Sequence, residues 1–263
     1  SMILAERLRS VRLAAGGTVG FTPSDLASCL AWYDASDAST ITLSGSLVLE
    51  WDNKIDGLVN TKFGNPTYDA VNEEINTPDD GTSIDNTTTS LVSVDDPNLT
   101  YVFLVEFQGL PFGNGLSGRF FGLGADRNED GLQHAQAGVG SNGYSWRYQG
   151  GAFSVYSSVS NNTKYILSYT RQPQSTNEIF ENGSSLGTGS MSNAIDLRNT
   201  GATGIRIGNP MRSLTNMDTI FSEVIALETV SATDRQKCEG FLAHKWGYTS
   251  LLPSGHPYKS SAP

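Results

Sequence analysis

The chain is poor in the residues that carry most site chemistry. It has two cysteines, Cys29 and Cys238, and three histidines, His134, His244 and His256. Two thiols so far apart make neither a disulfide framework nor a thiolate zinc site; a single bridge and a pair of buried free thiols both stay open. Charged residues are 17% of the chain, below the usual quarter, so surface polarity must come from Ser, Thr, Asn and Gly. Lys and Arg number 17 against 27 Asp and Glu, a net charge of −10. Such a surface repels the phosphates of nucleic acid and of acidic lipid, which argues against either as a partner. No apolar run approaches the ~20 residues of a membrane-spanning helix. The segment from Met2 to Gly17 lacks the apolar core of a secretory signal. Four N-x-S/T sequons, at Asn86, Asn98, Asn161 and Asn182, are what chance gives in a chain so rich in Asn, Ser and Thr.

What the chain does have is a series of short apolar segments separated by Gly-rich turns, with a helix at either end. At the start, Leu4, Leu8 and Val11 line one face of a short helix that also carries Arg7, Arg9 and Arg12. It is too short to stand alone in water. It either docks on its own domain or acts as an arm that attaches the domain to a larger assembly, with residues 14–20 as a flexible joint. Residues 1–20 are thus set apart from residues 21–263. Strands are predicted at Leu26–Tyr33, Ser46–Trp51, Thr100–Gln108, Arg119–Leu123, Tyr144–Tyr148, Phe153–Val159, Tyr165–Thr170, Ile205–Gly208 and Thr219–Leu227. Thr100–Gln108 is apolar on both faces and reads as central. Residues 64–100 are rich in Asn, Asp, Thr and Pro and read as long loops with brief strands. Asn182-Gly183 is the dipeptide that a type I′ hairpin needs. Near the end, Ser231 and Asp234 have capping-box spacing, and Cys238, Phe241, Leu242 and Trp246 fall on one helical stripe. Gly247 then supplies a left-handed stop, with Pro253 and Pro257 beyond it. With no βαβ rhythm, the pattern predicts an antiparallel β-sandwich on which the last helix packs.

Three stretches also resemble a known family. They are residues 25–41 with 48–57; residues 164–171 with the Asn182-Gly183 hairpin; and residues 203–209 with 220–247 and 251–258. In this order they are similar to the concanavalin A-like, laminin-G-like jelly-roll domains of phage tail and other virion proteins. The likeness runs over residues 21–260, with its specific part at the two ends. It implies an all-β jelly-roll sandwich whose final strand leads into a helix ending in Trp-Gly. It also implies a virion setting, a homotrimer, and an N-terminal arm that anchors to other virion proteins. Fold does not fix function.

The fold also hosts retaining glucanases, which carry paired carboxylates on one strand. Here Glu106 and Glu223 stand alone in their strands and Glu178 and Glu181 lie in a hairpin, so hydrolysis is the remote alternative. Glu223 is expected to be a buried partner for a backbone or Arg group. His244 and His256 read as fittings of the helix and tail, and no nucleophile motif accompanies them. Asp126, Asn128, Asp130 and Gly131 match the first half of a calcium loop, but Ala137 stands where a bidentate Glu is needed. Three short-range oxygens make an incomplete shell, which favours an acidic turn; Ca²⁺ is the one metal the segment would suit, and no cofactor is required. Tyr144, Trp146 and Tyr148 alternate along a strand with Arg147 opposite, a composition that suits a sugar platform as well as core. The expectation is a noncatalytic virion-surface protein, a tail-fibre or tail-spike tip or a head fibre, that attaches to a host cell-surface saccharide. A capsid-decorating protein without ligand is the second reading.

Overall fold

The computed structural model describes residues 20–78, 81–86, 91, 97–108, 118–123, 135–140, 143–148, 151–173, 175–190, 204–208 and 218–263; residues 118, 119, 123, 135–140, 146–148, 151 and 152 are described by backbone alone. The N-terminal arm and the Asp126, Asn128, Asp130 segment lie outside the described residues, as does His134.

The strands are β1 (Cys29–Asp34), β2 (Ile41–Ser44), β3 (Leu47–Asp52), β4 (Val59–Phe63), β5 (Thr67–Asp69), β6 (Glu74–Thr77), β7 (Ser83–Asp85), β8 (Leu99–Gln108) and β9 (Gly118–Leu123). They continue with β10 (Ala135–Gly140), β11 (Gly143–Tyr148), β12 (Gly151–Tyr156), β13 (Lys164–Arg171), β14 (Thr176–Glu181), β15 (Ser184–Ser190), β16 (Ile205–Gly208) and β17 (Asp218–Leu227). Helix α1 (Ala232–Lys245) follows. Every described pairing is antiparallel. One layer runs β15-β14-β13-β8-β17, and β17 then pairs with β1 along its second half and β6 along its first. The other layer runs β2-β3-β4-β7-β16-β9-β10-β11-β12. β5 joins the two through β3 and β6. The described residues between 64 and 98 are loops with the brief strands β5, β6 and β7, as the composition predicts. β2, β4 and β10 escape the sequence pattern because they are short or Gly- and Ala-rich.

The core between the layers is built by period-two alternation. Tyr101, Phe103, Val105 and Phe107 of β8 meet Phe120 and Phe121 of β9, with Phe103 and Phe121 ring centroids 4.9 Å apart in edge contact. The opposite face of the same strand begins with Val102 and Leu104, which lie under α1 together with Ile166, Ile225 and Leu227. α1 covers them with Cys238, Phe241, Leu242 and Trp246, each nearly or fully buried and each contributing ~1.5–3 kcal/mol by its burial. Both cysteines are free thiols, buried in this layer; burial pushes Cys29 up to about 12 and Cys238 well above the usual thiol range.

The ends of α1 differ in one respect from the expected capping box. Ser231 Oγ accepts from Asp234 N at 3.2 Å, but the Ser231 N–H donates to Thr229 Oγ1, and Asp234 instead accepts from Ser28 Oγ, just before β1. Gly247 has φ +76° and ends the helix. The tail then folds back: Lys259 Nζ donates to the carbonyls of Thr249, Ser250 and Leu252. At the β14–β15 turn Asn182 and Gly183 have φ +52° and +79°, the left-handed pair of a type I′ turn. No described helix is long and apolar enough to cross a membrane.

Candidate functional site

Two of the buried charge clusters are structural. Glu223 is fully buried in β17. It accepts from the indole N–H groups of Trp32 and Trp246, at 2.5 Å each, and from Lys245 Nζ at 2.9 Å. Its partners are therefore two indoles and a lysine rather than a backbone or Arg group. Burial pushes its carboxyl up to about 7, against the opposing pull of Lys245 and the Trp246 N–H. Lys245 continues to Asp34 at 2.6 Å, and Lys54 bridges Asp34 and Asp37. Burial works against the Asp34 carboxylate, yet Lys245, the Ser36 hydroxyl and Lys54 together hold it below its usual range. The second cluster centres on Glu239 of α1, which accepts from Ser168 Oγ at 2.6 Å and from Arg235, and meets His256 Nε2 at 3.1 Å. His244 Nε2 pairs with the Tyr258 carbonyl. Both described histidines are thus fittings, as expected. Each cluster locks α1 or its tail to the sheet; the second is enclosed, and the first reaches solvent at Lys54, Asp37 and Lys245.

The third cluster lines a groove. The outer face of β8 reads Val102, Leu104, Glu106, Gln108; the first two lie under α1 and the last two emerge beyond its end. Register carries the same change into the neighbours, with Ile166 beside Leu104 but Lys164 beside Glu106 on β13. On β17 a bulge between Phe221 and Glu223 turns two successive side chains outward. Glu223 goes to α1, and Ser222 goes to the polar end. There Lys164 Nζ lies 2.7 Å from Glu74 Oε1, 3.8 Å from Glu106 Oε2 and 3.2 Å from Ser222 Oγ. Ser222 Oγ donates to Glu74 Oε1, and Gln108 Nε2 to Glu106 Oε1 at 3.1 Å.

This polar floor is walled into a groove of about 740 Å³. The β5–β6 hairpin forms one side. Asp69 closes its turn by accepting from Val71 N, Asn72 N and Asn72 Nδ2, and Asn76 projects from β6 beside Glu74. Tyr248, set just past the Gly247 stop, lines the groove from the end of α1, and Tyr68 does so with its hydroxyl spent on the Ala35 carbonyl. Asn76 Oδ1 is buried without a hydrogen-bond partner. The groove thus presents carboxylate and amide oxygens with Tyr248 at its edge, while the Tyr68 ring packs on the core; oxygens beside an aromatic residue are a set that recognises hydroxyl-rich small molecules.

The sequence pointed to another strand. Tyr144 of β11 belongs to the core: it is 1% exposed, packs on Phe107 and Tyr165, and donates its hydroxyl to Glu181 at 2.7 Å. It is unavailable as a sugar platform, because a ring that fills the space between two sheets cannot face a ligand. Trp146, Arg147 and Tyr148 follow it in β11, with side chains outside the described residues. The structure does not bring Tyr144 together with the groove. Among the described residues no three His, Cys, Asp or Glu side chains are placed to hold a metal. Sequence reasoning missed the groove because residues 67–76 read as loop. The available signal was Glu106 and Gln108, which break an otherwise apolar outer face.

No family model matches the chain, and no curated protein matches its sequence. Solved structures do match it in shape. A Trypanosoma rangeli sialidase superposes with a TM-score of 0.59 at 13% identity, over 89% of this chain and 37% of that one. The binding domain of botulinum neurotoxin DC in complex with rat synaptotagmin II gives 0.55 at 11% identity, over 88% of this chain and 53% of that one. The same toxin's binding domain in complex with SialylT gives 0.54 at 10% identity, over the same shares. The chain therefore spans well under two thirds of these neighbours. At such identities the likeness carries architecture alone: the chain is an antiparallel β-sandwich with a helix near its C-terminus packed on one outer face.

Proposed function

We propose that this domain is a noncatalytic glycan-binding module that attaches its parent particle to a saccharide on a host cell surface. The observation that carries the reading is the groove beside α1, where strand register sets carboxylate and amide oxygens of Glu74, Asn76, Glu106 and Gln108 around a tyrosine-lined opening. Saccharide hydroxyls find acceptors there, and Tyr248 offers surface to the apolar face of a sugar ring. Neighbours of the same fold include a sialidase and a toxin binding domain solved with SialylT, which gives the reading company without deciding it. The noncatalytic assignment rests on how Glu74 and Glu106 are engaged: both face Lys164, which spends them on an ion pair rather than leaving one as acid and one as base.

The setting assigned is the virion surface, as a tail-fibre or tail-spike tip or a head fibre. It rests on the sequence resemblance, as do the homotrimer and the anchoring of residues 1–20 to other virion proteins. No cofactor is assigned to the binding; a melting temperature raised by added calcium would assign one to Asp126, Asn128 and Asp130. The test of the function is an array of immobilised oligosaccharides probed with the purified chain. Saturable retention that is lost in an Asn76→Ala, Gln108→Ala variant of unchanged melting temperature is expected. Retention by no glycan would leave the second reading, a decorating protein without ligand, while turnover of a bound glycan would overturn the noncatalytic assignment.

A further inference from the structure

The groove carries a sign as well as a shape. Its described lining holds three carboxylates, Asp69, Glu74 and Glu106, and one cation, Lys164. That lysine is already committed, 2.7 Å from Glu74 and hydrogen-bonded to Ser222. Asp69 is tied into its own turn by three donors, but its charge remains at the rim, where it is exposed. The lining is therefore net anionic, and the chain around it adds to the field with a net charge of −10. Its hydrogen-bonding character points the same way. Asn76 Oδ1 is a buried acceptor without a donor, and the Glu106 carboxylate receives Gln108 on one oxygen while its other lies 3.8 Å from Lys164. Buried acceptors that lack donors are satisfied by a ligand that brings O–H groups.

From this we infer that the groove selects neutral, hydroxyl-rich saccharides and rejects acidic ones, whether their charge is a carboxylate, a sulfate or a phosphate. The inference rests on the glycan-binding reading and narrows it to a ligand class. An acidic substituent entering the groove would find no uncommitted cation among the described residues, and it would sit within a few ångströms of carboxylates that face the same space. Repulsion at that range is screened by salt, since the Debye length falls from ~30 Å at 0.01 M to ~3 Å at 1 M ionic strength.

The experiment pairs each neutral oligosaccharide of an array with the same oligosaccharide capped by sialic acid, at low and at high salt, using the full chain. Neutral members that bind should be retained at least ten-fold more tightly than their sialylated partners at low salt, and the gap should narrow at high salt. An Asp69→Asn variant, which removes a rim charge and leaves the Lys164–Glu74 pair and the groove floor intact, should narrow the gap while it still binds the neutral member. Equal or tighter retention of the sialylated partners would overturn the inference and leave glycan binding standing. Retention of neither would overturn the glycan reading and this inference with it. A gap unchanged in the variant would place its cause outside the groove and also overturn the inference.

Discussion

Replacing Glu223 by Gln keeps the side chain's size and removes its charge from a fully enclosed ionisable site that ties α1 to the sheet. Three donors converge on this carboxylate, the indoles of Trp32 and Trp246 and the Lys245 ammonium. A Gln amide offers one acceptor oxygen and turns an N–H₂ toward the remaining donors, so at least one indole loses its partner and Lys245 keeps only Asp34. Leaving a buried indole N–H unpaired in this way costs ~1–3 kcal/mol. The cost should depend on pH with a definite sign. The folded-state pKa of Glu223 is raised from 4.5 to about 7, so its protonated form is favoured in the native state. A raised pKa contributes stability that is fully present below the unfolded value and is lost as pH rises through the folded one. Between pH 5 and pH 8 the stability of the wild type relative to Glu223→Gln should therefore fall by roughly 2–3 kcal/mol. Asp34, whose pKa is lowered, acts at lower pH and in both proteins. Urea unfolding at pH 5, 6, 7 and 8, followed by the fluorescence of the chain's four tryptophans, measures the difference directly. A gap between the proteins that is flat across this range, or that widens toward pH 8, would refute the reasoning.

Two further outcomes follow from the helix and its tail. Gly240→Ala in α1 should destabilise, although the same change in an exposed helix stabilises by ~1 kcal/mol, because the new methyl would collide with Tyr258, whose Cγ would lie 2.8 Å away; a melting temperature at or above wild type would contradict this. Lys259→Met removes the ammonium shared by three carbonyls at 2.6–3.1 Å, and amide exchange in residues 249–259 should quicken by one to two orders of magnitude, given ~1–3 kcal/mol for leaving buried acceptors unpaired, while β8 and β13 stay protected; unchanged exchange in the tail would remove the role.

Much of the architecture was legible because it rests on local patterns that survive tertiary context. The alternation in β8, the Asn182-Gly183 turn, the apolar stripe of α1 and the Gly247 stop all specify their elements from a few residues. Where the reading fell short, the missing information lay in pairing. Tyr144 sits in a strand that reads equally well as platform or as core, and only the packing of two sheets decides that its face is inward. Glu223 was expected to be a buried partner, yet its two indoles come from positions 32 and 246, brought together by β1 and α1. The groove is the extreme case. It needs Glu74, Glu106 and Lys164 on adjoining strands and a bulge at Ser222, and no single segment holds more than a fragment of it. Glu106 and Gln108 were the visible fragment, two polar residues on the outer face of a strand otherwise apolar on both sides.

The central claim is that this groove holds a saccharide. Calorimetric titration of the best-retained neutral oligosaccharide into the wild type and into the Asn76→Ala, Gln108→Ala variant tests it most directly. Both substitutions lie on the groove's outer face and remove no described ion pair or core contact, so the variant should keep its melting temperature and lose at least ten-fold in affinity, or ~1.4 kcal/mol. An affinity equal to that of the wild type, in a folded variant, would place the saccharide elsewhere and contradict the account.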